Sequence, residues 1–115
     1  MNVLDFSMAK LAHQQWKFRL RSYLDGLEQM NLSEAVSHQD CEFGKWLYGK
    51  GQSEMADFAE MNQLERSHAT MHAEVKKTIE SKSDGNNEMA ETHYSEVVRL
   101  SNEVVGLMDQ IMAKM

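Results

Sequence analysis

Four side chains of this 115-residue sequence could share one soft metal ion: His13, Cys41, His68 and His72. His68 and His72 stand four apart, a spacing that puts both rings on one face of an α-helix and aims them at a single point. His13 lies on a second helical segment and could meet them across a bundle. An imidazole on an apolar stripe costs free energy unless it is paired or coordinated, so three histidines on core-facing positions ask for a common explanation. Cys41 supplies the fourth group. One thiolate and three imidazoles form a tetrahedral set suited to zinc, and four protein ligands leave no open position, the pattern of a structural or regulatory site. Each residue also has a plainer reading: a lone histidine on a helix is commonly a satisfied core residue, and a lone intracellular cysteine is commonly an inert small hydrophobe. Their coincidence on inward faces favours the shared site.

The elements that must position these groups are helical. The sequence has no proline, six glycines and many Met, Leu, Ala, Glu, Gln and Lys, a mix that favours helix and disfavours a turn-rich β architecture. From Leu4 to about Glu28 one stripe carries Ala9, His13, Trp16, Leu20, Tyr23 and Leu27. Ser37-His38-Gln39-Asp40 has the spacing of a capping box and would start a short helix through Cys41 to about Tyr48, ended by Gly49 and Gly51. A second long helix is expected from Ser53 to about Lys82, with Phe58, Met61, Glu65, His68, His72, Val75 and Ile79 on one stripe. Asp84-Gly85-Asn86-Asn87 is a turn signal, and Glu88 to Met115 forms a third long helix whose stripe runs Ala90, Tyr94, Val97, Ser101, Val104, Met108, Ile111, Met115. The expected fold is all-α: a small antiparallel four-helix bundle of three long helices and one short helix carrying Cys41, in a single domain over residues 1–115. A chain with two cores would need roughly 200 residues or more. The last helix is apolar on several faces, with Val98, Val105 and Met112 on one flank of its stripe and Leu100 and Leu107 on the other. That excess predicts a second apolar surface, used for homodimerisation or a partner.

Three motifs in order carry a family resemblance: His13-Gln14-Gln15-Trp16, then Cys41-Glu42-Phe43-Gly44-Lys45-Trp46, then His68-Ala69-Thr70-Met71-His72. Between them lie 24 residues (17–40) and 21 residues (47–67). This arrangement resembles the chemoreceptor zinc-binding domain, whose pattern is HxxW, a CxFGxW-like stretch and HxxxH, and the resemblance spans nearly the whole chain. It implies a four-helix domain in which His13, Cys41, His68 and His72 hold Zn2+. It also implies a cytoplasmic regulatory module attached to chemotaxis receptors or diguanylate cyclases, which passes a change of zinc or cysteine state to an output domain. In some members the zinc-bound cysteine reacts with hypochlorous acid. The 115 residues contain neither a receptor signalling hairpin nor a cyclase domain, so the output would lie in cis in a longer protein or in trans.

The bottom-up chemistry agrees with a switch. Metal binding and a helix N-terminus both favour the thiolate, which makes Cys41 the expected redox-reactive sulfur. Oxidation to a sulfenic acid would weaken that ligand and could release part of the short helix. Glu65, one turn before His68, could orient a ligand imidazole through its second nitrogen. Phe43, Trp46 and Trp16 would wall the site. His38 could substitute as a ligand but reads better as a surface residue, and His93 reads as solvated.

Other function classes find little support. Twelve basic against 18 acidic residues give a net charge of −6 with no basic tract, which disfavours nucleic acid and anionic lipid as partners. No run approaches the ~20 apolar residues of a membrane span, and the N-terminus lacks the bases of a signal peptide. With one cysteine and no intramolecular disulfide, a cytoplasmic location is expected. The ten methionines fit core gap-filling better than copper ligation. Catalysis is not expected: His68-Ala69 lacks the glutamate of an HExxH metallohydrolase, and there is no Gly-rich phosphate loop. The alternatives are a structural zinc site in a helical dimerisation module and, further off, a small metal-dependent enzyme with an open coordination position.

Overall fold

The computed structural model describes residues 3–30, 41, 44, 45, 48, 49 and 57–114, with side chains from Ser7 onward. These residues form three long helices: α1 (Val3–Leu24), α2 (Glu60–Ser83) and α3 (Asn87–Lys114). There is no strand among the described residues. The all-helical class therefore holds. The expected short helix falls largely outside the described residues. Within it, the Lys45 N–H donates to the Cys41 carbonyl at 2.9 Å, the spacing of an α-helical turn.

Two left-handed glycines set helix ends. α1 stops at Leu24, short of the expected Glu28, because Gly26 takes a φ of +79° and the Leu27 and Gly26 N–H groups fold back onto the Ser22 and Tyr23 carbonyls. α2 ends in the same motif: Gly85 has φ +78°, with Asn86 N–H on Ser81 O at 2.8 Å and Gly85 N–H on Lys82 O at 3.1 Å. Asn86 then caps α3, its Oδ1 accepting the Met89 N–H at 3.1 Å. A Cβ on Gly85 would meet nothing within 4 Å, so Gly85→Ala should cost only the left-handed backbone, about 1 kcal/mol. Thermal melting should show a drop of a few degrees. At the other end, α2 starts at Glu60 and not at Ser53: residues 57–59 are not helical, and Phe58 turns inward against the core while its carbonyl accepts the Met61 N–H at 3.1 Å.

α3 is the central helix, packed along its length on α2 and also on α1. Polar pairs fix the directions. Lys10 meets Asp109 at 2.7 Å, and Arg21 grips Glu91 through two bonds of 2.6 and 2.8 Å while stacking over Tyr94, so α1 runs antiparallel to α3. Glu60 with Lys114, Ser67 with Glu103 (2.9 Å) and Glu74 with His93 (2.6 Å) make α2 antiparallel to α3 as well. α1 and α2 are thus parallel, and the segment between them must travel back along the bundle. That return path carries Cys41.

The wide apolar surface of α3 is partly covered within the chain. Leu100 is buried and Val98, Val105, Leu107 and Met112 are half-buried, because α3 is covered from two sides by α1 and α2. Among the described residues, the large hydrophobics left in solvent are Met8, Leu11 and Phe18 on the outer face of α1, Leu27 beyond its end, and Met89 in the first turn of α3. Among the described residues the interior divides in two. One cluster joins Leu20, Tyr23, Leu24, Met30, Met71, Ile79, Ala90, Val97 and Leu100; the other joins Met61, Leu64, Val104, Met108 and Ile111. Between them in sequence on each helix stand buried polar residues, His13 on α1, Ser67 and His68 on α2, and Ser101 on α3.

Candidate metal centre

Three chain segments converge on this polar layer. α1 brings His13, 8% exposed; α2 brings His68, 0% exposed, and half-buried His72; the return segment brings half-buried Cys41. The sulfur lies 3.3 Å from His68 Nε2, and His72 Nε2 lies 3.1 Å from the same atom. The His13 ring centroid is 5.1 Å from that of His68 and 6.1 Å from that of His72. One donor atom from each residue falls within 4.8 Å of all the others. Around a tetrahedral zinc with the usual bond lengths, N···N edges measure ~3.4 Å and N···S edges ~3.6 Å. The two short contacts lie within about 0.3 Å of such edges, and the widest separation exceeds them by a little more than about an ångström. The donor set fits zinc.

The electrostatics suit these residues to a metal. Burial, and then the charge of His72, push the His13 pKa down from 6.5 to about 4, so at pH 7 its ring is neutral and keeps a lone pair for a metal. Cys41 Sγ accepts the Gly44 backbone N–H at 3.2 Å, a contact that favours the thiolate. Ser101, 2% exposed, places its hydroxyl in the same layer with no hydrogen-bond partner among the described residues.

The other sequence candidates fall as follows. Glu65 is half-buried on α2 and accepts a hydrogen bond from the Tyr48 hydroxyl, whose pKa is raised by burial first and then by this carboxylate. Trp16 packs on the cluster that contains Leu20 and Val97, with Arg19 over its ring. His38, Phe43 and Trp46 lie outside the described residues. His93 is not solvated as expected: it is 20% exposed and its Nδ1 sits 2.6 Å from Glu74 Oε2. The sequence reading missed this because the pairing depends on the register of α2 against α3. Gln63, Ser67 and Glu103 form a third polar group, with Gln63 Nε2 donating to both Ser67 Oγ and Glu103 Oε1 at 2.9 Å.

The family model of the chemoreceptor zinc-binding domain matches residues 13–79, more than half of the chain and all four convergent residues. The chain belongs to that family. It is a family of regulatory zinc-binding domains and is not known for catalysis. No curated protein and no solved structure matches the chain. Among the described residues of this chemoreceptor zinc-binding domain, no helix is long and apolar enough to cross a membrane.

Proposed function

We propose that this single-domain chain is a cytoplasmic zinc-binding sensor whose Cys/His3 site reports zinc level or thiol oxidation to a signalling output, in cis or in trans, of the chemotaxis receptor or diguanylate cyclase kind. The observation that carries the reading is the convergence of His13, Cys41, His68 and His72 from three separate segments. Zinc, when bound, holds the sulfur as thiolate and ties the return segment to α1 and α2. Four donors fill a tetrahedral site, which favours a regulatory role over hydrolysis. Cys41 is half-buried, which supports reaction of this residue with a small oxidant. With hypochlorous acid, the thiolate would be oxidised by two electrons to a sulfenic acid while the oxidant is reduced and leaves as chloride. The exposed Met8, Leu11 and Phe18 along α1 support a homodimer or a partner helix on that face.

Elemental analysis of tag-free protein, purified without chelator or added metal, tests the reading. About one zinc per chain is the expected content, and metal-free protein that takes up none on zinc addition would refute it.

A further inference from the structure

Between Met8 and Leu24 the exposed residues of α1 carry no charge. They are Met8, Leu11 and Phe18, 62%, 55% and 69% exposed, with Ala12, Gln14 and Gln15 between them. The outward faces of the other two helices are charged: α2 shows Arg66, Lys76, Lys77 and Glu80 to solvent, and α3 shows Glu91, Arg99 and Asp109. The bases of α1 stand half-buried beside its outer face, and three of them are held by acids of the same chain. Lys10 meets Asp109 at 2.7 Å, Arg19 meets Glu28 at 2.7 Å and Arg21 meets Glu91 at 2.6 Å. A charge-depleted apolar patch on a chain of net charge −6 has the composition of an interface centre.

The spacing specifies the kind of interface. Met8, Leu11, Gln15 and Phe18 follow one another at steps of three, four and three residues, the a and d positions of a heptad, on the side of α1 opposite buried His13 and Leu20. The repeat ends with the helix, where Ser22 and Asp25 take the next two positions.

We propose that this face binds the same face of a second copy of the chain, α1 beside α1 in parallel, with Gln15 next to the partner's Gln15. A side-chain amide carries both a donor and an acceptor, so two glutamines satisfy each other across a two-fold axis. An antiparallel pair would set Gln15 against the partner's Leu11 or the partner's Phe18 and leave the amide unsatisfied. In the parallel register the flanking positions that meet are Ser7 with the partner's Ala12 and Gln14 with the partner's Arg19, so no like charges oppose each other. With no net charge to select an oppositely charged partner, the face is complementary to itself. This pairing rests on the reading of the α1 face as a contact surface, narrows its occupant to a second copy, and does not draw on the zinc site.

Sedimentation velocity over a concentration series of the purified chain tests it. Three helical turns bury less than the ~1,600 Å² of a standard interface, so the expected dimer is weak, with a Kd of about 10–100 μM. Leu11→Glu and Phe18→Glu change exposed positions and should each raise the Kd by about 100-fold or more, because they oppose like charges across the seam. Asn102→Glu, on the exposed side of α3, should leave it unchanged. Orientation is read from Gln15→Cys, which should form a covalent dimer with oxidised glutathione because equivalent a positions of a parallel pair lie within disulfide reach. The native chain, with Cys41 alone, should not. A chain that stays monomeric up to about 1 mM, a dimer indifferent to both seam variants, or a Gln15→Cys chain that does not cross-link would overturn the pairing. Zinc content of the same samples separates the two readings: a monomer with one zinc per chain removes the pairing alone, whereas a seam-dependent dimer without zinc removes the sensor reading alone.

Discussion

Replacing His68 with alanine should lower the affinity of the chain for zinc by more than about 100-fold, beyond the 10–100-fold typical of losing a residue that only supports a ligand. His68 is the ring in contact with both other short-range donors, 3.3 Å from the Cys41 sulfur and 3.1 Å from His72 Nε2. It is also fully buried, so water cannot readily take the vacated position. His72 is half-buried, and a water molecule can stand in for it more easily; His72→Ala should lose less. Competition against a chromophoric zinc chelator measures both. Alanine favours helix, so circular dichroism should stay near native in each variant, which separates loss of metal from loss of fold. Equal losses in the two variants would contradict the burial argument.

Acid should act strongly on the metal-stripped chain. His13 has its pKa pushed from 6.5 to about 4 by burial and by the neighbouring His72 charge. The unfolded chain binds that proton near 6.5 and the folded chain does not, so stability is complete above about 6.5 and falls as pH drops toward 4. Integrated over this window the loss is about 3 kcal/mol by pH 4, a large share of the roughly 5–15 kcal/mol of a typical domain. Urea unfolding in the presence of chelator at a series of pH values measures it. His13→Gln, which does not titrate, should flatten the curve between pH 6.5 and 4. An unchanged slope would assign the acid sensitivity to other groups.

What the sequence disclosed follows from how local each signal was. Helical periodicity and the turn at Asp84–Asn87 are local, so the three long helices were legible to within a few residues, apart from the late start of α2 at Glu60. The convergence of the histidines was legible because a polar ring on an apolar stripe is anomalous within its own helix. Properties that depend on which helix sits beside which were not. That the broad apolar surface of α3 packs against both α1 and α2 is a tertiary fact, which the sequence of α3 alone does not carry. The Glu74–His93 pair and the Tyr48–Glu65 contact likewise need the register of two segments distant in sequence. Conversely, Met8, Leu11 and Phe18 blend into the composition of an amphipathic helix and only stand out once α1 is seen to turn them away from both partners.

The division of the interior into two apolar clusters has a mechanical consequence. Cys41, Tyr48 and Phe58 all lean on the cluster toward the α1 N-terminus and the α3 C-terminus, whereas the other cluster is closed by the tight turn between α2 and α3. The bundle is in this sense a lever with its fulcrum at the histidine layer. From Ser101 to Lys114 the arm of α3 beyond that layer extends roughly 20 Å at 1.5 Å per residue. A tilt of about 5° at the fulcrum would then displace the tip by roughly 2 Å, enough to misalign a packed helix seated there.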